Sequence, residues 1–206
     1  MAVLSLHVLP KKVSNESQWE KFVGRTKPLR LQSLKNDPKS FISKYESEVK
    51  EPLSFWVGRL KDPKAWTVVM VSSPEKIGDD VDALLRDDVE WVAFCVMVDP
   101  SVGDEADGDK PEGKASADWF MAAVWLKDEL RGKGAGKRLV QCGIDTARKA
   151  DAERDFTGRV CVTHVVKGNE GAIELYKKVG FQLTDSESFV EKDGVKHHSY
   201  ELKMAL

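Results

Sequence analysis

The stretch "DWFMAAVWLKDELRGKGAGKRLV" (Asp118–Val140) joins an apolar run to a helix-like segment through three glycines at alternate positions, Gly132, Gly134 and Gly136. Arg131, Lys133 and Lys137 stand among them. The apolar run reads as a strand. After the glycines, Leu139, Val140, Gly143, Ile144 and Ala147 recur at helical steps and give one apolar face. A chain that turns from strand to helix without β-carbons in the way leaves backbone N–H groups pointing outward at the positive end of the helix dipole. With formal cations beside them, such a turn suits a pyrophosphate.

Three phosphate-binding loops compete for this pattern. A G-x-x-x-x-G-K-[ST] loop built on Gly136-Lys137 finds Arg131 at its first glycine and Arg138 at its hydroxyl position, and fails at both. A G-x-G-x-x-G fingerprint built on Gly132 and Gly134 finds Lys137 at its third glycine; Asp151 stands near its acidic position but close to a helix end. The pattern that survives is Arg-x-x-Gly-x-Gly, at Arg131, Gly134 and Gly136.

The rest of the chain bounds what this turn can belong to. Its 206 residues are enough for a single domain (1–206) with a full core, and the 41% hydrophobic and 32% charged fractions are those of a soluble globular protein. The net charge of −2, with both signs spread along the chain, argues against broad binding to nucleic acid or to an anionic membrane surface. Cys95, Cys142 and Cys161 fit neither a zinc spacing nor a disulfide framework, and read as buried free thiols of a reducing compartment. The first residues lack the pattern of a signal peptide, and no apolar run is long enough to span a bilayer. A cytoplasmic location is expected, with a nuclear one left open.

Along the chain, "VLSLHVL" alternates as a first strand. Glu16 to Lys35 has helical periodicity that Pro28 should divide in two. Asp37-Pro38 should open another helix carrying Phe41, Ile42, Tyr45 and Val49, followed by a short one over Leu53–Leu60. "AWTVVMV" (Ala65–Val71) and "EWVAFCVMV" (Glu90–Val98) read as strands, joined by a polar, acidic connection with one helical turn around "DALL". Ser101–Ser116, rich in glycine, reads as a mobile loop. "GRVCVTHVV" (Gly158–Val166) is a strand, "NEGAIELYKKVGF" a helix closed by Gly180, and the chain ends in a hairpin turning at Lys192-Asp193-Gly194. The order of elements describes a mixed α/β fold.

Three segments resemble the GNAT superfamily of N-acetyltransferases. "VWLKDELRGKGAGKRLV" looks like its strand, turn and pyrophosphate loop. "VVKGNEGAIELYKKVGF" is similar to its Asn-x-x-Ala-x-x-Leu-Tyr-x-x-x-Gly-Phe element, here Asn169, Ala172, Leu175, Tyr176, Gly180 and Phe181. "LRLQSLKNDPKSFISKYESE" looks like the helical substrate side of small members. The resemblance implies a mixed, mostly antiparallel central sheet flanked by helices and splayed between two parallel strands, with acetyl-CoA in the opening as co-substrate and no metal. It also implies that the segment Val124, Trp125 and Leu126 holds the pantetheine arm by its backbone. Arg131, Gly132, Lys133, Gly134, Ala135, Gly136 and Lys137 would hold the pyrophosphate, and Asn169 and Tyr176 would complete the cofactor site.

Moving an acetyl group from a thioester to an amine needs a neutral amine, an oxyanion donor and a proton for the departing thiolate. Tyr176 occupies the place of the general acid in the resemblance, although its helical spacing also suits core packing. The usual carboxylate on the strand before the loop is replaced by Phe120. Asp118, two residues earlier on the same face, is the candidate base through a water chain, and His164 is the alternative. His197 and His198, adjacent in a strand, point to opposite faces and do not make a metal pair. The resemblance thus implies acetylation of a small-molecule or peptide primary amine by direct attack in a ternary complex. A non-catalytic acyl-CoA-binding module and a protein acetyltransferase acting on lysines or N-termini are the alternatives. A homodimer is left open.

Overall fold

In a computed structural model the described residues are 2–99, 101, 118–192 and 195–206. Among them seven strands form one sheet: β1 (Val3–Val8), β2 (Ala65–Ser73), β3 (Glu90–Val98), β4 (Trp119–Leu126), β5 (Val160–Val166), β6 (Gln182–Lys192) and β7 (Val195–Ala205). They lie in the order β1-β2-β3-β4-β5-β7-β6. Every neighbouring pair is antiparallel except β4 and β5, which run parallel.

The near-continuous apolar runs of β2 and β3 have a physical cause, since helices cover both faces of the sheet there. Along β2, Val69 and Val71 pack with Trp19, Phe22 and Leu29, whereas Val68 and Met70 pack with Ala135 and Leu139. The first face is covered by α1 (Glu16–Asn36), α3 (Leu53–Lys61) and the one-turn α4 (Val81–Leu84); α2 (Tyr45–Glu48) lies against α1. The second is covered by α5 (Ala135–Ala152) and α6 (Glu170–Val179), whose Val140, Ile144 and Tyr176 meet Trp119, Met121 and Cys161 of the sheet. Asn169 caps α6 by accepting from the Ala172 N–H at 3.2 Å, and Gly180 ends it in the left-handed region at φ 117°.

Two local expectations fail. Pro28 does not divide α1, which is continuous from Glu16 to Asn36. Pro28 and Gly24, the residue whose carbonyl loses its partner, are both exposed, so water can serve that carbonyl, and Gly24 has no side chain to crowd the ring. No helix opens at Asp37-Pro38 either. Asp37 instead terminates α1, a single 3-10 turn covers Pro38–Ser40, and only Tyr45–Glu48 is helical before α3. The expected loop Ser101–Ser116 lies outside the described residues apart from Ser101, as do Asp193 and Gly194 of the terminal turn.

Candidate active site

The two parallel strands part company. β4 pairs with β5 only at Trp119↔Cys161, Phe120↔Val162 and Met121↔Thr163; beyond Met121 the two diverge, and the sheet opens. On its other edge β4 carries an extra residue relative to β3, between the pairs Val96↔Ala122 and Phe94↔Trp125. Within that bulge Ala123 sits in the left-handed region at φ 53°, a conformation that costs a residue with a β-carbon ~1–2 kcal/mol and that clusters at functional sites. A cavity of about 440 Å³ fills the opening, lined by Phe120 to Val124, Thr163 to Val166, Asn169, Ala172 and Tyr176. A second cavity, about 250 Å³, lies toward α1 and α3, lined by Leu29, Trp56, Leu60, Phe94 and Val98. Arg30, Arg59, Ala122 and Ala123 line both cavities.

The glycine turn follows the C-terminal end of β4, as Asn169 follows that of β5. Ligands of open α/β sheets bind in such crevices, outside the carboxyl ends of parallel strands. Gly132 and Gly134 have φ of 72° and 83°, and nothing lies within 4 Å of where their β-carbons would be. Gly134 is the N-cap of the 18-residue α5 and gives it no side-chain cap, so the first N–H groups of that helix are left for a ligand. Lys133 and Lys137 are exposed beside them. This cradle fits a diphosphate. Gly136 differs from its neighbours. It is buried, and a β-carbon there would meet Leu175 Cδ1 and Cδ2 at 3.3 Å, so its role is the close approach of α5 to α6.

Arg131 also departs from expectation. Its Nη1 and Nη2 donate to Asp37 Oδ1 (3.1 Å) and Oδ2 (2.6 Å), and its Nε and Nη2 to the Leu126 carbonyl (3.2 Å each). Trp125, turned away from the opening, donates from Nε1 to the same Asp37 Oδ2 at 2.6 Å. The hydrogen bonds from Arg131 hold the Asp37 carboxyl below its usual range, against partial burial. Arg131 is therefore a clamp between the end of α1 and the loop, and its charge is already matched. Of the segment Val124–Leu126, Val124 lines the opening, while the Leu126 carbonyl is engaged by Arg131.

Tyr176 lies on the wall of the opening, buried, with Phe181 edge-on at 5.2 Å between ring centroids. Burial pushes its phenol above the ordinary tyrosine range, outweighing the opposite effect of the Thr163 hydroxyl. The Thr163 hydroxyl donates to the Met121 carbonyl at 3.0 Å. Asn169 donates from Nδ2 to Ser40 Oγ at 3.1 Å, tying the turn after α1 across the opening to β5. Asp118 is not brought to the site. It stands where β4 and β5 are still paired, its Oδ1 accepts from the Val160 N–H at 3.3 Å, and it lines neither cavity. Face parity places it with Phe120 but does not say how far along the strand the opening lies. His164 does line the opening, edge-on to Phe120 at 5.4 Å between centroids, with Nε2 3.7 Å from Glu201 Oε2.

Sequence reasoning missed the cluster Arg30–Glu48–Arg59. Arg30 forks onto Glu48, from Nε to Oε2 at 3.0 Å and from Nη2 to Oε1 at 2.8 Å, and Arg59 Nη1 adds a bond to Oε2 at 3.2 Å. Burial by itself pushes Glu48 up, yet the two guanidinium groups outweigh it and hold the carboxyl low. Only the burial side of Arg30, next to Leu29 on the apolar face of α1, hints at the cluster in sequence. None of the cysteines lines either cavity, and burial pushes the Cys161 thiol up to about 12, away from nucleophilic use. Among the described residues no group of three or more His, Cys, Asp or Glu could hold a metal ion, and no helix is long and apolar enough to cross a membrane.

The sequence model of the acetyltransferase (GNAT) family matches residues 27–181, and the chain belongs to that family. No curated protein matches it in sequence. Among solved structures it is similar to Arabidopsis thaliana NAA60, in complex with a bisubstrate analogue (15% identity) and with acetyl-CoA (14%), each over 99% of both chains at a TM-score of 0.59. It is also similar to a mutant of the spermidine N-acetyltransferase SpeG from Vibrio cholerae, at 12% identity and a TM-score of 0.55, over 98% of this chain and 93% of that one. The seven-stranded sheet, open between its one parallel pair, is the fold these proteins share.

Proposed function

We propose that this chain, acting as one catalytic domain in the cytoplasm, transfers an acetyl group from acetyl-CoA to a primary amine by direct attack in a ternary complex. The observation that carries this reading is the position of Tyr176 on the wall of the opening between β4 and β5, with the glycine cradle at the end of β4. The backbone N–H groups at Gly132 to Gly134 and the start of α5, with Lys133 and Lys137, hold the diphosphate. The unpaired edge of β4 around Val124 holds the pantetheine arm. The bound thioester supplies the acyl group.

The amine nitrogen bonds to the carbonyl carbon, the carbon–sulfur bond breaks, the sulfur takes a proton from the Tyr176 hydroxyl, and the nitrogen gives one up. In this reading His164, which lines the opening, receives it in place of Asp118. The three free thiols, all outside the cavities, favour direct transfer over an acetyl-enzyme, and suit a reducing compartment.

Calorimetry with acetyl-CoA, followed by thiol release from acetyl-CoA over a panel of amines, tests the reading. Saturable binding with amine-dependent thiol release is expected. Failure to bind acetyl-CoA overturns it, and binding without release for any amine returns the chain to the non-catalytic alternative.

A further inference from the structure

Arg30 and Arg59 stand where the two cavities meet, and they share one carboxylate, Glu48. Two cations against one anion leave a positive balance at a largely buried point. The Arg30 side chain is only 9% exposed, and its Nη1, the nitrogen that Glu48 does not reach, is buried without a hydrogen-bond partner. That nitrogen is closed off from both cavities, so Arg30 contributes its charge from behind and props Glu48. Arg59 is more open, at 39%. Asp62, the acidic residue lining the smaller cavity, is exposed and accepts from the Lys64 N–H at 2.9 Å.

We propose that Arg59, with the charge of Arg30 behind it, forms an anion-binding subsite for the acceptor, and that the acceptor is a small amine carrying a carboxylate, of the class of apolar amino acids. This rests on the amine-acetylation reading above. The carboxylate pairs with the Arg59 guanidinium, which shares Glu48 with Arg30 and so keeps part of its charge unmatched. The amine, one carbon away, lies at Ala122 and Ala123, where the smaller cavity opens onto the acyl side. The side chain fills that cavity against Leu29, Trp56, Leu60 and Phe94. At about 250 Å³ it is smaller than the ~300–1,000 Å³ of drug-sized sites and suits one side chain, not a peptide. A polyamine would bring a second cation against Arg30 and Arg59 and is disfavoured by like charge.

The test uses the whole chain and three matched sets of amines: leucine, methionine and phenylalanine; their carboxamides; and the corresponding amines without a carboxyl group. Spermidine is added as a polycation. Thiol release from acetyl-CoA is the readout. The amino acids are expected to exceed their amides and simple amines in kcat/KM by about 10–100-fold, the worth of charge-assisted hydrogen bonds. Arg30 supports Glu48 and its loss could unfold the chain, so the variant is Arg59→Gln, whose side chain is partly exposed. It should shrink the acid-to-amide ratio severalfold, through KM, with the Kd for acetyl-CoA unchanged.

Equal rates for acid and amide, or an unchanged ratio in Arg59→Gln, overturn the subsite but leave amine acetylation standing. Turnover of spermidine alone does the same. Absence of acetyl-CoA binding overturns both.

Discussion

Arg131 and Asp37, separated by 94 residues, are joined by two parallel hydrogen bonds. The cation that opens the Arg-x-x-Gly-x-Gly pattern is therefore spent inside the protein. Removing it should act through loop geometry, whereas Lys133 and Lys137 act through charge. Lys133→Gln and Lys137→Gln are each expected to weaken acetyl-CoA binding about two- to five-fold at low salt, an effect that fades near 1 M salt. Arg131→Gln should weaken binding by an amount that salt does not remove. Calorimetry across a salt series separates the two behaviours, and parallel salt curves for all three would refute the assignment.

Gly134 and Gly136 should answer differently to substitution. Gly134 needs the left-handed conformation but has open space around it, so Gly134→Asn, a residue that tolerates that region, should cost less than Gly134→Ala at ~1–2 kcal/mol. Gly136 needs space, so Gly136→Ala should cost ~1–3 kcal/mol by pushing on Leu175. Denaturant midpoints of the three variants check the order.

Tyr176→Phe keeps the ring against Phe181 and removes only the hydroxyl. It is expected to lower kcat by ~10²–10⁴-fold, with little change in acetyl-CoA affinity or melting temperature. Because burial raises the phenol, its protonated form persists below that raised value, so the wild type should keep its rate as pH climbs through the ordinary tyrosine value of ~10. Steady-state kinetics on both proteins between neutral and alkaline pH decide this. A near-normal kcat in the variant removes Tyr176 from the chemistry.

Acid stability should depend on Asp99. It is fully buried; Arg159 Nη2 donates to its Oδ1 at 2.8 Å, Arg154 donates to its Oδ2, and Arg159 Nη1 also reaches Asp151 Oδ1 at 2.7 Å. Burial pushes the Asp99 carboxyl up, but the hydrogen bonds from Arg159, Ser101 and Arg154 outweigh it and leave it below its ordinary value. The folded-state value is thus under the unfolded one of ~3.9. The contribution is complete above that pH and is lost as pH falls through the lowered value. Asp99→Asn, which leaves the two arginines facing a neutral amide, should cost ~3–5 kcal/mol at neutral pH. Urea midpoints from pH 7 to 3 should fall less steeply for the variant than for the wild type.

How much of this was legible depends on whether the cause was local. The strands β2 and β3 announced themselves because burial on both faces demands unbroken apolar runs. Gly132 and Gly134 announced the cradle because positive φ selects glycine, and Asn169 and Gly180 marked the ends of α6 because caps have few solutions. Pro28 misled because its tolerance depends on the exposure of Gly24, which composition does not record. Asp37 as the partner of Arg131, and Glu48 as the partner of Arg30 and Arg59, were invisible, since packing of distant segments makes those pairs. Asp118 lies on the expected face and at the wrong end of it, because the point where β4 leaves β5 is set by the sheet and not by strand periodicity.

The room that Gly136 leaves for Leu175 has a metrical consequence. Gly136 lies beside the glycine cradle and Leu175 precedes Tyr176, so the room that Gly136 leaves for Leu175 helps to set the distance between the proposed phosphate anchor and the proposed proton donor. On the proposed function, α5 and α6 together act as a caliper closed on the length of one pantetheine thioester. The absent methyl group at position 136 is one of the features that keep the jaws that close.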